Sequence, residues 1–293
     1  MARPSRSKYK RQHTEEAIYT PESLLRHPKT MFWLMWRDLL ASRELAWRLL
    51  VRDISAKYRQ SFLGFFWAII PAIITAAGFT MAKSNGIVNI GATDLPYPAY
   101  VMFSMTLWQT FIEALNAPIQ GVSQGKAMLA KINFPREALI LSKLGEVFFN
   151  FGVKLILIIA LFIWFKMPVS ASVFLAPVAL IHLVALGTFI GLIIAPMGVL
   201  YQDVSRILTM LTGFWLFLTP VVYPVPKDGL FGEIVRLNPV TPLLVTTREL
   251  ATTGIISDAV GFWLASGISF VGLFIAWIVY RVSMPYVVER ISS

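Results

Sequence analysis

Five stretches of this chain run without a single Asp, Glu, Lys or Arg: residues 60–82, 95–112, 167–202, 207–226 and 259–280, which are 23, 18, 36, 20 and 22 residues long. A helix needs roughly 20 apolar residues to cross about 30 Å of hydrocarbon, where its backbone must satisfy its own hydrogen bonds. Runs of this length and number predict an all-α integral membrane protein. Only 14% of the residues are charged, whereas soluble domains carry about 25%.

Together with the apolar core "LILIIALFIWF" at 155–165, the runs predict six spans, at about 62–82, 98–118, 144–165, 173–195, 206–224 and 259–280. Glu146 and Lys154 interrupt the third. Lysine and arginine collect in cytoplasmic loops. With a cytoplasmic N-terminus, 20 of the 26 fall inside and five (Lys83, Lys166, Lys227, Arg236 and Arg248) outside, with Lys154 within a span. Both termini are therefore expected in the cytoplasm. The net charge of +10 reads as anchoring to anionic lipid, with no need for nucleic acid.

The expected layout is a flexible basic tail at 1–29, an amphipathic interface helix within 30–60, a six-span domain at 61–285 and a short cytoplasmic tail at 286–293. In the interface segment Trp47, Leu50, Ile54 and Tyr58 recur at helical spacing, opposite Arg48, Arg52, Ser55 and Arg59. Trp33, Trp36 and Trp47 suit a headgroup boundary. Arg52 and Arg59, two turns apart, are candidates for holding a lipid carrier's pyrophosphate, since arginine binds phosphate through paired planar hydrogen bonds. The polar start predicts no cleavable secretory signal.

Several chemistries are excluded. With no cysteine there is no disulfide, thiolate metal site or cysteine nucleophile. His13, His27 and His182 are scattered, so no metal is expected. "GVSQGKA" at 121–127 has three residues between its glycines where a phosphate loop needs four, and Ala127 replaces the hydroxyl for magnesium. "GTFIG" at 187–191 permits close helix packing. Glu113, Glu146 and Lys154, ionisable groups at membrane depth, are expected to make ion-pair or water-mediated contacts between neighbouring spans.

One segment departs from the apolar pattern. "LAKINFPREALILSK", 129–143, is charged and broken by proline, and it lies on the cytoplasmic side between the second and third spans.

Four pieces in order resemble the permease subunits of type-2 ATP-binding-cassette polysaccharide exporters. They are "RDISAKYRQSFLGFFWAIIPA" (52–72), "KINFPREALILSK" (131–143), "FLTPVVYP" (217–224) and "LNPVTPLLVTTREL" (237–250). In the first, Arg52, Asp53, Lys57, Tyr58, Ser61, Leu63, Gly64, Trp67 and Pro71 carry the likeness, which runs from about residue 40 to 285. The resemblance implies two copies of this six-span subunit and two of a separate ATP-hydrolysing subunit. The chain itself would then be no enzyme and hold no cofactor, with Mg-ATP bound by the partner. The implied substrate is a lipid-linked polysaccharide crossing a bacterial inner membrane, with O-antigen and teichoic-acid exporters closer than capsule exporters.

It also implies roles for residues. Lys131, Asn133, Phe134, Pro135, Arg136 and Glu137 would form a coupling helix docked on the ATPase, with Phe134 and Leu139 as apolar anchors and Arg136 and Glu137 pairing with charges on the partner. Arg52, Tyr58 and Arg59 would meet the substrate's pyrophosphate. Phe65, Phe66, Trp67, Trp108, Trp215 and Phe217 are candidates to line the sugar path. Pro220, Pro224, Asn238, Pro239 and Arg248 would belong to an external gate built from short re-entrant helices between spans five and six. Two alternatives stay open: a related permease for drugs, lipid or haem, and an integral-membrane glycosyl- or acyltransferase. Asp94, Asp203, Asp228 and Asp258 stand apart, with no paired acidic motif for the latter.

Overall fold

A computed structural model describes residues 28–59, 64–129, 131–132, 134–226 and 228–292. Its helices are α1 (Pro28–Arg59), α2 (Ile70–Ser84), α3 (Tyr97–Gln124), α4 (Lys126–Leu129), α5 (Glu137–Trp164), α6 (Ala176–Leu200), α7 (Gln202–Phe217), α8 (Gly229–Leu237), α9 (Val240–Ala251) and α10 (Ala259–Ser292). Short 3-10 turns, Gly64–Ala68 and Ala171–Leu175, lead into α2 and α6, and no strand occurs among the described residues. Proline falls in the first turn of α2, α3 and α6, where its missing N–H removes no helical bond.

A helix falls within each of the six expected spans, in part only for α2 and α7, but among the described residues only α5, α6 with its leading turn, and α10 are long and apolar enough by length and composition to cross a membrane. The other three differ for separate reasons. α3 has 28 residues but carries polar groups along its length. Thr106 and Thr110 donate to the carbonyls of Met102 and Thr106 at 2.8 and 2.9 Å, and Asn116 donates to that of Ile112 at 2.9 Å. These local bonds satisfy the side chains without water. α2 and α7 have 15 and 16 residues, about 22 and 24 Å at 1.5 Å per residue.

α3 and α6 form the central pair, with α10 and α9 packed on α6, α5 and α2 on α3, and α1 on α5. Two glycines set the central approach. A Cβ added at Gly191 would lie 2.0 Å from the Leu115 carbonyl oxygen, and one at Gly187 2.7 Å from that of Phe111. The motif at 187–191 is therefore the contact face of α6, and its partner is the Phe111–Leu115 turn of α3.

α1 has three faces where the sequence suggested two. Met31, Met35, Asp38, Ser42, Ala46 and Leu49 are buried, at three- and four-residue intervals that make one stripe. Trp33, Trp36, Leu40, Trp47 and Val51 are exposed on a second, and Arg37, Arg48, Arg52 and Arg59 follow a third. Leu50 packs at Gly145 of α5, where an added Cβ would lie 2.8 Å from its Cδ2.

Between α7 and α10 the chain forms α8 and α9, matching the two short apolar pieces of the external segment. Every residue of α9 except Glu249 is buried. Gly254, at φ +77°, donates its N–H to the Glu249 carbonyl at 2.8 Å. This left-handed cap ends α9.

Candidate functional site

On the side assigned to the cytoplasm, α3 ends at Gly125, α4 makes one turn, and the chain passes through 131–136 into α5. A Cβ at Gly121 would lie 2.9 Å from the Leu139 carbonyl oxygen, and one at Gly125 2.6 Å from the Leu139 side chain. Leu139 is accordingly buried under the end of α3, which corrects its expected use as an anchor on a partner. Lys131 and Ile132 are exposed, Ile132 at 60%. Phe134 is half-buried against the subunit's own core. Asn133 lies outside the described residues. The Pro135 carbonyl accepts the Ala138 N–H at 3.1 Å, and Arg136 is the N-cap of α5.

Glu137 behaves differently from the expectation that it pairs with a partner. It is buried, and its Oε1 accepts Nη1 of Arg281 at 2.9 Å. The other arm of the same guanidinium reaches Asp38 of α1. Nothing in the sequence links these three residues, which stand far apart along the chain. The exposure of Ile132 was not legible either, because in sequence it looks like one more apolar residue beside apolar spans.

A second charge ladder joins α1 to α5. Asp53 receives Arg52 at 2.8 Å and Lys143 at 2.9 Å, while Glu146 receives Lys143 at 3.0 Å and Lys57 at 2.9 Å. Burial alone would raise the Asp53 carboxyl, but hydrogen bonds and charge from Lys143 and Arg52 hold it below its ordinary value. Arg52 is thus engaged within the chain. Arg59, its neighbour on the same stripe, is exposed at the end of α1. The Tyr58 side chain lies outside the described residues.

Between α3 and α5, Lys154 Nζ donates to Glu113 Oε1 at 2.5 Å, and Asn150 donates to Glu113 Oε2 at 3.1 Å. Of the two kinds of contact expected for the ionisable groups at this depth, Glu113 and Lys154 make the direct ion pair, while Glu146 pairs with Lys143 and Lys57.

At the opposite end, the turn after α7 is held by side chains from three directions. Tyr97 donates to the Val222 carbonyl at 2.9 Å, and Tyr100 to those of Tyr223 and Pro220 at 2.9 and 3.3 Å. Asn238 uses its whole amide. Its Oδ1 accepts Trp215 Nε1 at 3.0 Å and Val240 N–H at 3.1 Å, and its Nδ2 donates to the Leu218 carbonyl and Thr219 Oγ1 at 3.0 and 2.9 Å. Arg248 lies buried over the Tyr100 ring, 4.1 Å from its centroid, and donates to Ser104 Oγ at 2.6 Å. Pro220 is buried, and Pro224 and Pro239 are half-buried. Of the external-gate candidates, Pro220 and Arg248 thus meet Tyr100 near the start of α3, while Asn238 ties the end of α7 to the start of α9.

The aromatic candidates separate into two groups. Trp108 is 4% exposed and packs with Phe111 and Trp215 at centroid distances of 5.4 and 6.4 Å. Phe65, Phe66 and Trp67, on the turn before α2, and Phe217, at the end of α7, are exposed. Phe65 tilts against Phe149 of α5 at 6.0 Å.

Apolar helices, paired interior charges and a stripe of exposed tryptophan beside arginine define a helical membrane protein. The family described as ABC-2 type transporter matches residues 44–250, and the chain belongs to it. Among its relatives, the O-antigen export system permease protein RfbA of Myxococcus xanthus is 25% identical over 247 residues, covering 82% of this chain and 92% of the relative. An RfbA of the same description from Klebsiella pneumoniae is 23% identical over 214 residues, covering 70% and 79%.

Proposed function

We propose that the chain is the channel-forming subunit of an ATP-driven exporter that moves lipid-linked O-antigen across the bacterial inner membrane, acting as a homodimer with a separate ATPase. The observation that carries this reading is the extent of the likeness, which leaves little of the Myxococcus xanthus relative uncovered. The apolar flanks of α2 (Ile73, Ile74, Met81) and α7 (Ile207, Met210, Leu211, Phe214) are exposed in the subunit, which supports a second copy packing there. In this reading α2 and α7 complete six crossings, while α8 and α9 cap the exit from the outside. Phe65, Phe66, Trp67 and Phe217 face the path, since ring faces pack on sugar C–H surfaces, whereas Trp108 and Trp215 brace it. Arg59 is the candidate contact for the carrier's pyrophosphate.

The exposed tip Lys131–Ile132 is where the ATPase docks. Lys131→Glu with Ile132→Asp should leave the permease at normal membrane levels, because neither side chain is buried, yet abolish ATPase co-purification and surface O-antigen. Unchanged co-purification and export would overturn the docking reading. Topology is open to cysteine labelling without background, since the chain has no cysteine. Asp228→Cys and Ser257→Cys, both exposed, should react with a membrane-impermeant maleimide from outside intact spheroplasts. Labelling of the two from opposite sides would make the α8–α9 segment a true crossing.

A further inference from the structure

The Arg281 guanidinium joins three elements that the chain order keeps apart. One arm meets Glu137, the first residue of α5, at 2.9 Å, and the other meets Asp38 on α1. All three side chains are 12% exposed or less. α10 has 34 residues, about 51 Å at 1.5 Å per residue, against about 30 Å of hydrocarbon. Counted from Ala259, Arg281 stands about 33 Å along the helix, just where α10 leaves the apolar layer. The joint therefore sits at the cytoplasmic surface, immediately behind the 131–136 segment.

Its chemistry suits a rigid connection. A planar guanidinium presents donors in a fixed fork, and two carboxylates on different helices can each take one side of it. A buried ion cluster of this kind is weak evidence for stability, since apolar replacements of similar volume are often as stable. It does fix relative position, because each charge is costly to strand. The Asp53–Lys143–Glu146–Lys57 ladder already binds α1 to α5. Arg281 adds α10 to that body.

We infer that Arg281 is a positioning residue of the transport cycle. It makes α1, the start of α5 and the cytoplasmic end of α10 move as one unit, so that a displacement of the 131–136 segment is delivered to α10 rather than absorbed at the loop. This inference rests on the exporter reading above.

The test uses the full permease assembled with its ATPase. Spin labels at Ala41→Cys on α1 and Glu289→Cys on α10, both exposed, report the distance between the two helices. In the otherwise unaltered complex that distance should stay the same without nucleotide and with a non-hydrolysable ATP analogue. In Arg281→Gln it should broaden or shift when the analogue binds. Export per ATP hydrolysed should fall by about fivefold or more, the lower end of a typical coupling free energy, while basal ATP hydrolysis stays within about twofold. Arg281→Lys, which keeps the charge but lacks the fork, should show the same split and serves if the glutamine variant fails to accumulate. A purely structural role would lower membrane level, hydrolysis and export together. That result, or a distance distribution indifferent to Arg281→Gln, overturns the inference. A wild-type complex that hydrolyses ATP without exporting O-antigen would overturn the substrate reading instead, and the spin-label distances would still decide the role of Arg281.

Discussion

Gly191→Ala should destabilise the isolated subunit more than any other single methyl addition in the chain. The new Cβ would stand 2.0 Å from the Leu115 carbonyl oxygen, 2.9 Å from its carbon and 3.1 Å from Pro118 Cδ. Two of these atoms are backbone, and Pro118 sits inside α3, so no side chain can swing away. Overpacking a well-fitted core by one methylene costs about 1–3 kcal/mol. With backbone as the obstacle, Gly191→Ala belongs at or above the upper end of that range, and Gly187→Ala, 2.7 Å from the Phe111 carbonyl oxygen, somewhat below. Gly191→Leu should abolish accumulation of monodisperse protein. Gly152→Ala is the control, because nothing lies within 4 Å of its added Cβ. Thermal unfolding in detergent decides: equal midpoints for the Gly191→Ala and Gly152→Ala variants would mean that α3 and α6 do not approach as described.

That pair shows what the sequence could reveal and what it could not. "GTFIG" announces a close approach, because small residues one turn apart leave a groove on a helix. It does not name the partner, and nothing about Phe111 or Leu115 advertises a carbonyl waiting there. The same limit governs the charges. Glu113 and Lys154 were legible as groups in need of a partner, because ionisable groups in apolar spans have few other options, although the sequence did not say which would pair with which. Arg281, Glu137 and Asp38 were not, because each stands in a segment where charge meets water and needs no explanation. The charged loop at 129–143 was recognisable by contrast with its surroundings, yet the division of labour within it depends on burial. Leu139 and Glu137 face inward while Lys131 and Ile132 face out, and a periodicity argument over so short and proline-broken a stretch cannot tell them apart. Five of the helical segments emerged from charge-free length alone, and that of the third span from its uninterrupted apolar core at 155–165. The buried stripe of α1 did not, since Asp38 and Ser42 are polar and look solvent-facing until Asp38 is seen to accept from Arg281 and Ser42 to donate to the Asp38 carbonyl.

Removing one member of the Glu113–Lys154 pair should cost far more than removing both, and unequally on the two sides. Lys154 is 1% exposed, whereas Glu113 is 31% exposed and keeps the Asn150 amide as a second partner. Glu113→Ala therefore leaves an ammonium with almost no access to water, and the loss should reach the roughly 3–5 kcal/mol expected when a buried pair is broken. Lys154→Met leaves a carboxylate that retains one donor and some solvent, so its loss should be smaller. The double variant Glu113→Gln with Lys154→Met removes both charges while keeping side-chain volume, and buried pairs replaced in this way are often as stable as before. The expected order of thermal midpoints is wild type and double variant together, then Lys154→Met, then Glu113→Ala. Additive losses in the double variant would show that the two groups do not interact. Export by the double variant completes the argument. If the pair only neutralises charge between α3 and α5, O-antigen should reach the surface at near the wild-type level. A well-folded double variant that fails to export would instead give the pair a part in the transport cycle itself.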